Sequence, residues 1–426
     1  MSRRRASNSE SLASSSNNEA VAYPFSAMQQ SNHYQSLPQR RGPIEGPGGR
    51  RLTRRVTWRS STYKLMASLW ILGVLYIVWL IRDIFYLPFS YSSKHTVKAN
   101  AGADLLAQYV GREECGISSQ ALYLPPHSGD KSTLNELYCQ TRESLLNSMS
   151  NGGRHGFGAP YTSQSCFYHW YTTADICEIL ERFDGIAFIG DEPLADAYAG
   201  FNILLRKDLE QGSLKDWELS ATLNAECQCN SQFTNPTCLS TRITSSGDLS
   251  PQDGKKTQTP YVCSSHTPHV FLPITSSPAS STIHDKFKTL LARSSAKSEM
   301  AAKKPIPVIQ SLSLATSYSL STAKASIDEW LTLAKTSARS TPFLWIGPTA
   351  PGHQNFDPTP PGNSNNVHAT SWQYTLDAAE VAQSRGLDVL GMYNTTMQAE
   401  SWDGLRYGEK VALTQAMMII NWLAML

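Results

Sequence analysis

Ile186-Ala187-Phe188-Ile189-Gly190-Asp191-Glu192 is the stretch on which the fold turns. Gly185 to Ile189 reads as a strand buried on both faces, because its side chains are apolar without alternation. The run stops at Gly-Asp, and a helix is expected from about Pro193 to Leu209, with Pro193 suited to a first turn. Further along, Pro268 to Ile274 gives a weaker strand signal. Ile306 to Leu314 and Leu387 to Leu390 give further strand signals, and Phe343 to Ile346 is a short apolar run ended by Gly347-Pro348. Helical periodicity covers Thr322 to Ser337, with Ile327, Trp330, Leu331 and Ala334 on one stripe, then Ala369 to Ser384 and Gly408 to Leu426. Strand and helix in alternation imply an α/β fold: a parallel sheet with helices on its faces, in three layers. Residues 243–282 are dense in Ser, Thr and Pro and read as a surface insertion; Pro348 to Asn366 reads as a second long loop.

Working outward, the chain has 426 residues and a formal charge of +2, unevenly spread. Eleven Lys and Arg precede residue 65, against Glu10, Glu19 and Glu45. Residues 1–62 are expected to be a disordered, basic, cytosolic tail, too poor in apolar groups to offset the entropy of ordering. Leu65 to Ile81 is an uncharged stretch of seventeen residues. As a helix it is about 25 Å long against a hydrocarbon layer of about 30 Å. With Arg82 and Asp83 reaching back to headgroups, a transmembrane helix is expected over 63–87, with Trp70, Tyr76, Trp79, Phe85 and Tyr86 as aromatic residues at or near the interfaces. The basic flank orients it as a type II signal-anchor, N-terminus in the cytosol, with 88–110 as stem and 111–426 as a lumenal domain. Basic residues without aromatic interleaving argue against nucleic acid as a partner.

All eight cysteines (Cys115, Cys139, Cys166, Cys177, Cys227, Cys229, Cys238, Cys263) follow that segment. An even count in an oxidising compartment reads as up to four disulfides, in pairings that spacing does not fix. Cys227-Gln228-Cys229 with Cys238 fits no zinc spacing, so neither a metal nor a cofactor is expected. Asn394-Thr395-Thr396 is a glycosylation sequon on the same side. Residues 115–180, including Phe167-Tyr168-His169-Trp170-Tyr171, read as packed core in preference to a sugar-binding face.

A second stretch, Trp402-Asp403-Gly404-Leu405-Arg406-Tyr407-Gly408, precedes the last helix. Together with the Gly190-Asp191 turn, Phe201 to Arg206, Trp345-Ile346-Gly347-Pro348 and Gly391-Met392-Tyr393-Asn394, it resembles the SGNH/GDSL superfamily. Within it, the likeness is to the PC-esterase branch that includes the trichome birefringence-like polysaccharide O-acetyltransferases, and to a group of fungal type II membrane proteins. The resemblance covers roughly residues 110–426. It implies a nucleophile at Glu192, an orienting Asp at Asp403 and a base at Arg406; only Asp403 keeps the family's residue type. The family's oxyanion-hole Asn is not found within 311–319, which contains neither Gly nor Asn.

The two replacements remove the chemistry. A carboxylate at 192 has no proton for a base to take, and a guanidinium at 406 stays protonated and accepts none. They are complementary, however, and a Glu192–Arg406 ion pair across the former cleft is expected, with Asp191 either competing for Arg406 or capping its helix. The expectation is therefore a catalytically inactive membrane protein of the Golgi or endoplasmic reticulum whose lumenal domain binds a glycan or a partner protein. The alternative is an active O-acetyltransferase or esterase using other groups, with Ser264, Ser265, Ser401, His266, His269 or His353 as conceivable members. A third reading is a purely structural protein of the same compartments.

Overall fold

The computed structural model describes residues 65–77, 104–126, 136–249, 257, 259–264, 267–294, 303–352 and 364–426. The chain divides into two units, Met1–His95 and Thr96–Leu426. In the first, residues 65–77 are helical with exposed side chains. Among the described residues no helix is long and apolar enough to cross a membrane. The expected tail at 1–62, the rest of the expected span and most of the expected stem lie outside the described residues. The packed core of the second unit already includes Leu106 and Tyr109, so it begins within the segment read as stem.

The second unit is an α/β fold. After helix α1 (Arg142–Asn151) comes a short antiparallel ribbon, β1 (Gly153–Arg154) and β2 (Tyr161–Thr162). Helix α2 (Thr173–Leu180) leads into β3 (Ile186–Gly190) and α3 (Glu192–Arg206). Three short helices, α4 (Ala221–Glu226), α5 (Ser231–Thr234) and α6 (Pro236–Leu239), precede β4 (His269–Pro273) and α7 (Ser281–Ala292). The remainder alternates: β5 (Val308–Gln310), α8 (Leu320–Lys335), β6 (Phe343–Ile346), α9 (Ser364–Ser384), β7 (Asp388–Leu390), α10 (Tyr393–Thr396) and α11 (Glu409–Ala424).

Strands β3 to β7 form one parallel sheet in the order β4-β3-β5-β6-β7. Successive residues of a strand point to opposite faces, and the two cores obey this rule. Ile186 and Phe188 join Ile309, Leu344 and Leu390 in one apolar cluster, with α1, α2, α3 and α11. Ala187 and Ile189 join Leu272, Val308 and Trp345 in the other, with α7, α8 and α9. Both sheet faces are therefore covered, which is why β3 shows no apolar–polar alternation.

Helix α11 runs through the first core and is buried on nearly all sides. It lies so close to α3 that a Cβ on Gly200 would stand 2.4 Å from the Ala412 carbonyl oxygen. Helix propensity alone favours Gly200→Ala by about 1 kcal/mol. Overpacking opposes it by about 1–3 kcal/mol, so the variant is expected to be net destabilised in urea unfolding. A stabilised variant would show that the two helices separate readily.

Four disulfides, Cys115–Cys229, Cys139–Cys166, Cys177–Cys263 and Cys227–Cys238, use all eight cysteines. The region read as an insertion at 243–282 is tied into the body. Ile243 is buried, Cys263 is cross-linked to α2, and β4 forms an edge of the sheet. In the aromatic run, Tyr168 is fully buried and stacked on Tyr123 at 4.1 Å, while Phe167, His169, Trp170 and Tyr171 are half-buried.

Candidate functional site

In strand order this sheet is second-first-third-fourth-fifth, so the chain reverses direction of travel between β3 and β5. In open parallel sheets ligands bind beyond the carboxyl ends of the strands at that point. Asp191 stands there. Its backbone occupies the N-cap position of α3, but its side chain makes no cap bond to that helix. Oδ2 instead accepts hydrogen bonds from the Ser313 and Ala315 N–H groups, at 2.8 and 3.1 Å, and from Ser313 Oγ at 3.3 Å. The carboxylate thus fastens the turn after β5 to the turn after β3; it neither caps its own helix nor pairs with Arg406. Burial pushes its pKa up, and the N–H donors of Ser313 and Ala315 offset part of that rise. Gly190 belongs to the same arrangement, since a Cβ there would lie 2.5 Å from the Ser311 carbonyl oxygen.

Glu192 and Arg406 do meet. Arg406 Nη1 lies 3.8 Å from Glu192 Oε2, the distance of an ion pair and beyond that of a hydrogen bond. The Glu192 side chain is 67% exposed, so the pair is weak. The stronger partner is Asp403. Its Oδ2 takes the Arg406 Nε–H at 2.8 Å, while its Oδ1 takes the Arg406 and Leu405 backbone N–H groups at 2.6 and 2.9 Å. Partial burial would raise the Asp403 pKa, but those Arg406 and Leu405 donors outweigh it and hold the carboxyl below its ordinary value. The Arg406 guanidinium also lies 4.5 Å from the centre of the Trp402 ring. Residues 402–406 thus form a closed turn. The crevice bordered by Pro193, Asp196, Arg406 and Tyr407 encloses about 10 Å³, room for about one water.

The other candidates fall elsewhere. Ser401 Oγ donates to the Arg406 carbonyl at 2.8 Å and accepts from the Gly404 N–H at 2.9 Å, so it is spent on the same turn. His269 is buried, and its Nδ1 faces the Tyr198 hydroxyl at 2.8 Å. Ser264 is exposed. Ser265, His266 and His353 lie outside the described residues. His284 and Ser277 both reach Glu329, at 2.6 Å each, with the carboxylate between them. A nucleophilic serine must instead bond directly to its base. The sequon residue Asn394 donates its amide to the Ser150 carbonyl at 3.1 Å. Among the described residues no group of side chains has the arrangement of a metal site.

Sequence reasoning overlooked several buried charged groups, among them Asp196, Arg206 and Glu409. Asp196, one turn after Glu192, pairs with Arg242 at 2.7 Å. Burial raises its pKa, and Arg242 offsets part of that rise. Arg206 is held by the turn at 211–216 and by Thr257 and Thr259, and Glu409 is buried although it stands in the first turn of α11. The only local signal was the charge of a residue inside an otherwise apolar helix pattern. Comparison with family models, with characterised proteins and with solved structures finds no match.

Proposed function

We propose that this chain is a type II, single-pass membrane protein of the Golgi or endoplasmic reticulum. In this reading its lumenal domain is SGNH-like in descent, performs no ester chemistry, and binds a glycan or a partner protein. The observation that carries the loss of chemistry is the Arg406 guanidinium, clamped by Asp403 and standing 3.8 Å from the Glu192 carboxylate. A cation that cannot accept a proton faces a group that has none to give. Four disulfides suit an oxidising compartment, and the basic stretch before an apolar segment suits a cytosolic N-terminus.

The test is incubation of the detergent-solubilised full chain with an activated aryl acetate. The expected rate equals the buffer background and is unchanged in Glu192→Ala. Turnover abolished in Glu192→Ala would make Glu192 a nucleophile. Turnover that survives it would place a nucleophile and base elsewhere. Either result overturns the inactive reading.

A further inference from the structure

A groove of about 980 Å³ runs along β7, between α1 and α9. β7 is an edge of the sheet, and its Leu390 carbonyl accepts the Gly347 N–H at 2.9 Å. That bond points the Leu390 backbone at β6, so Val389, one residue earlier, turns its N–H and C=O toward the groove that it lines. The opposite edge, β4, is covered: the Phe271 N–H donates to the Thr244 carbonyl at 2.8 Å and the His269 N–H to Ser246 Oγ at 3.1 Å. An uncovered edge invites pairing with another chain. On the α9 side, Trp372 and Leu376 stand one turn apart in the lining, 41% and 48% exposed.

The sequon residue Asn394 lines this same groove. It follows Tyr393, whose ring centre lies 4.8 Å from that of Trp372. The Asn394 amide gives one hydrogen to the Ser150 carbonyl. An amide NH2 has two, so the other is open to substitution. The third sequon residue is different. Thr396 is fully buried, its hydroxyl donating to the Met392 carbonyl and accepting the Ala350 N–H, each at 2.8 Å.

We propose that Asn394 carries an N-linked glycan, attached before this segment folds, whose inner sugars lie in the groove against Trp372 and cover the β7 edge. A saccharide matches both walls: its C–H faces stack on an aromatic ring, and its hydroxyls meet backbone N–H and C=O groups. The co-reactant is a polyprenyl-diphosphate-linked oligosaccharide. The Asn394 Nδ2–C1 bond forms, the C1–O bond to the diphosphate breaks, the lipid diphosphate leaves with that electron pair, and one amide proton passes to solvent. The remaining N–H keeps the bond to Ser150. Attachment precedes folding because a transferase that reads the sequon needs the Thr396 hydroxyl, which the fold encloses. This inference rests on the lumenal topology proposed above.

The experiment uses the full chain, expressed in a eukaryotic host, solubilised in detergent and digested with a peptide N-glycanase. After denaturation the wild type is expected to shift by a single glycan and Asn394→Gln to show no shift. Lys335→Asn creates an Asn-Thr-Ser sequon at the exposed end of α8 and reports topology independently. A glycan gained there, with none at Asn394, overturns the inference and leaves the lumenal reading intact. No glycan in either protein overturns both. In the folded protein the Asn394 glycan is expected to be released at least about tenfold more slowly than the one at position 335. Trp372→Ala, a change outside both apolar clusters, is expected to close most of that gap. Equal release rates would place the sugar in solvent and overturn the inference. A wild-type dimer that Trp372→Ala dissolves also overturns it, since a second copy would then occupy the groove.

Discussion

Arg206→Met is expected to cost at least about 3 kcal/mol of folding stability, the range for removing one partner of a buried ion pair. The Arg206 and Asp216 side chains are essentially inaccessible and meet at 3.0 Å. Arg206 Nη1 donates to the carbonyls of Gln211, Gly212 and Leu214, and Nη2 to Asp216, Thr257 and Thr259. One guanidinium at the end of α3 thereby organises the turn at 211–216 and fixes a segment fifty residues downstream. Methionine fills much of the volume but leaves the buried Asp216 carboxylate without its cation and takes the Arg206 donor from the Gly212, Leu214 and Thr259 carbonyls. Arg206→Met combined with Asp216→Leu is expected to lose less than the two single losses added, because the orphaned charge is gone. Urea unfolding of the single and double variants measures this. A single-variant loss below about 1 kcal/mol, the size of a surface pair, would mean that the pair is solvated.

Glu409→Gln has the opposite sign at alkaline pH. The folded chain holds the Glu409 proton up to about pH 8, against an ordinary value of 4.5. Burial is the main cause; the Asp208 charge adds to it and Lys410 opposes it. Between those two pH values the folded state binds more protons than the unfolded one, so stability falls as pH rises. Below pH 4.5 this group contributes no slope, and above pH 8 its penalty is complete. The full penalty is up to about 5 kcal/mol. Glutamine does not titrate. The stability of Glu409→Gln relative to wild type is therefore expected to rise steadily between pH 5 and pH 8 and then level off. Burial of Asp191 and Asp196 shapes the absolute curves of both proteins alike and cancels in the difference. Parallel curves for the two proteins would mean that Glu409 titrates as a solvated side chain.

The layers of this fold were readable because their signals are local. A strand covered on both faces needs an unbroken apolar run, and Ile186–Ile189 provides one. A helix enclosed on nearly all sides needs the composition of 409–424. The weak signal at 268–274 belongs to β4, which sits at the sheet edge and keeps a half-buried Val270 and an exposed Pro273. The strand expected over 306–314 is shorter, β5 at 308–310. Beyond it the backbone turns to present its N–H groups to Asp191.

At the candidate site, the Glu192–Arg406 contact was foreseeable from complementary charge at two positions that the resemblance pairs. The role of Asp191 was not, because its partners are more than a hundred residues away. Nor was the state of Glu409. A glutamate in the first turn of a helix ordinarily reads as a solvated charge near the positive end of the dipole. Only its burial in the assembled fold makes it otherwise.

All four disulfides lie between Cys115 and Cys263, so nothing covalent secures β5, β6, β7 or α11. Under tension on the two ends of the chain, everything after Cys263 can pay out as slack thread. The cross-linked segment between Cys115 and Cys263 would resist like a closed ring. The helix that fills the first core is thus held by packing alone, with no covalent tether of its own.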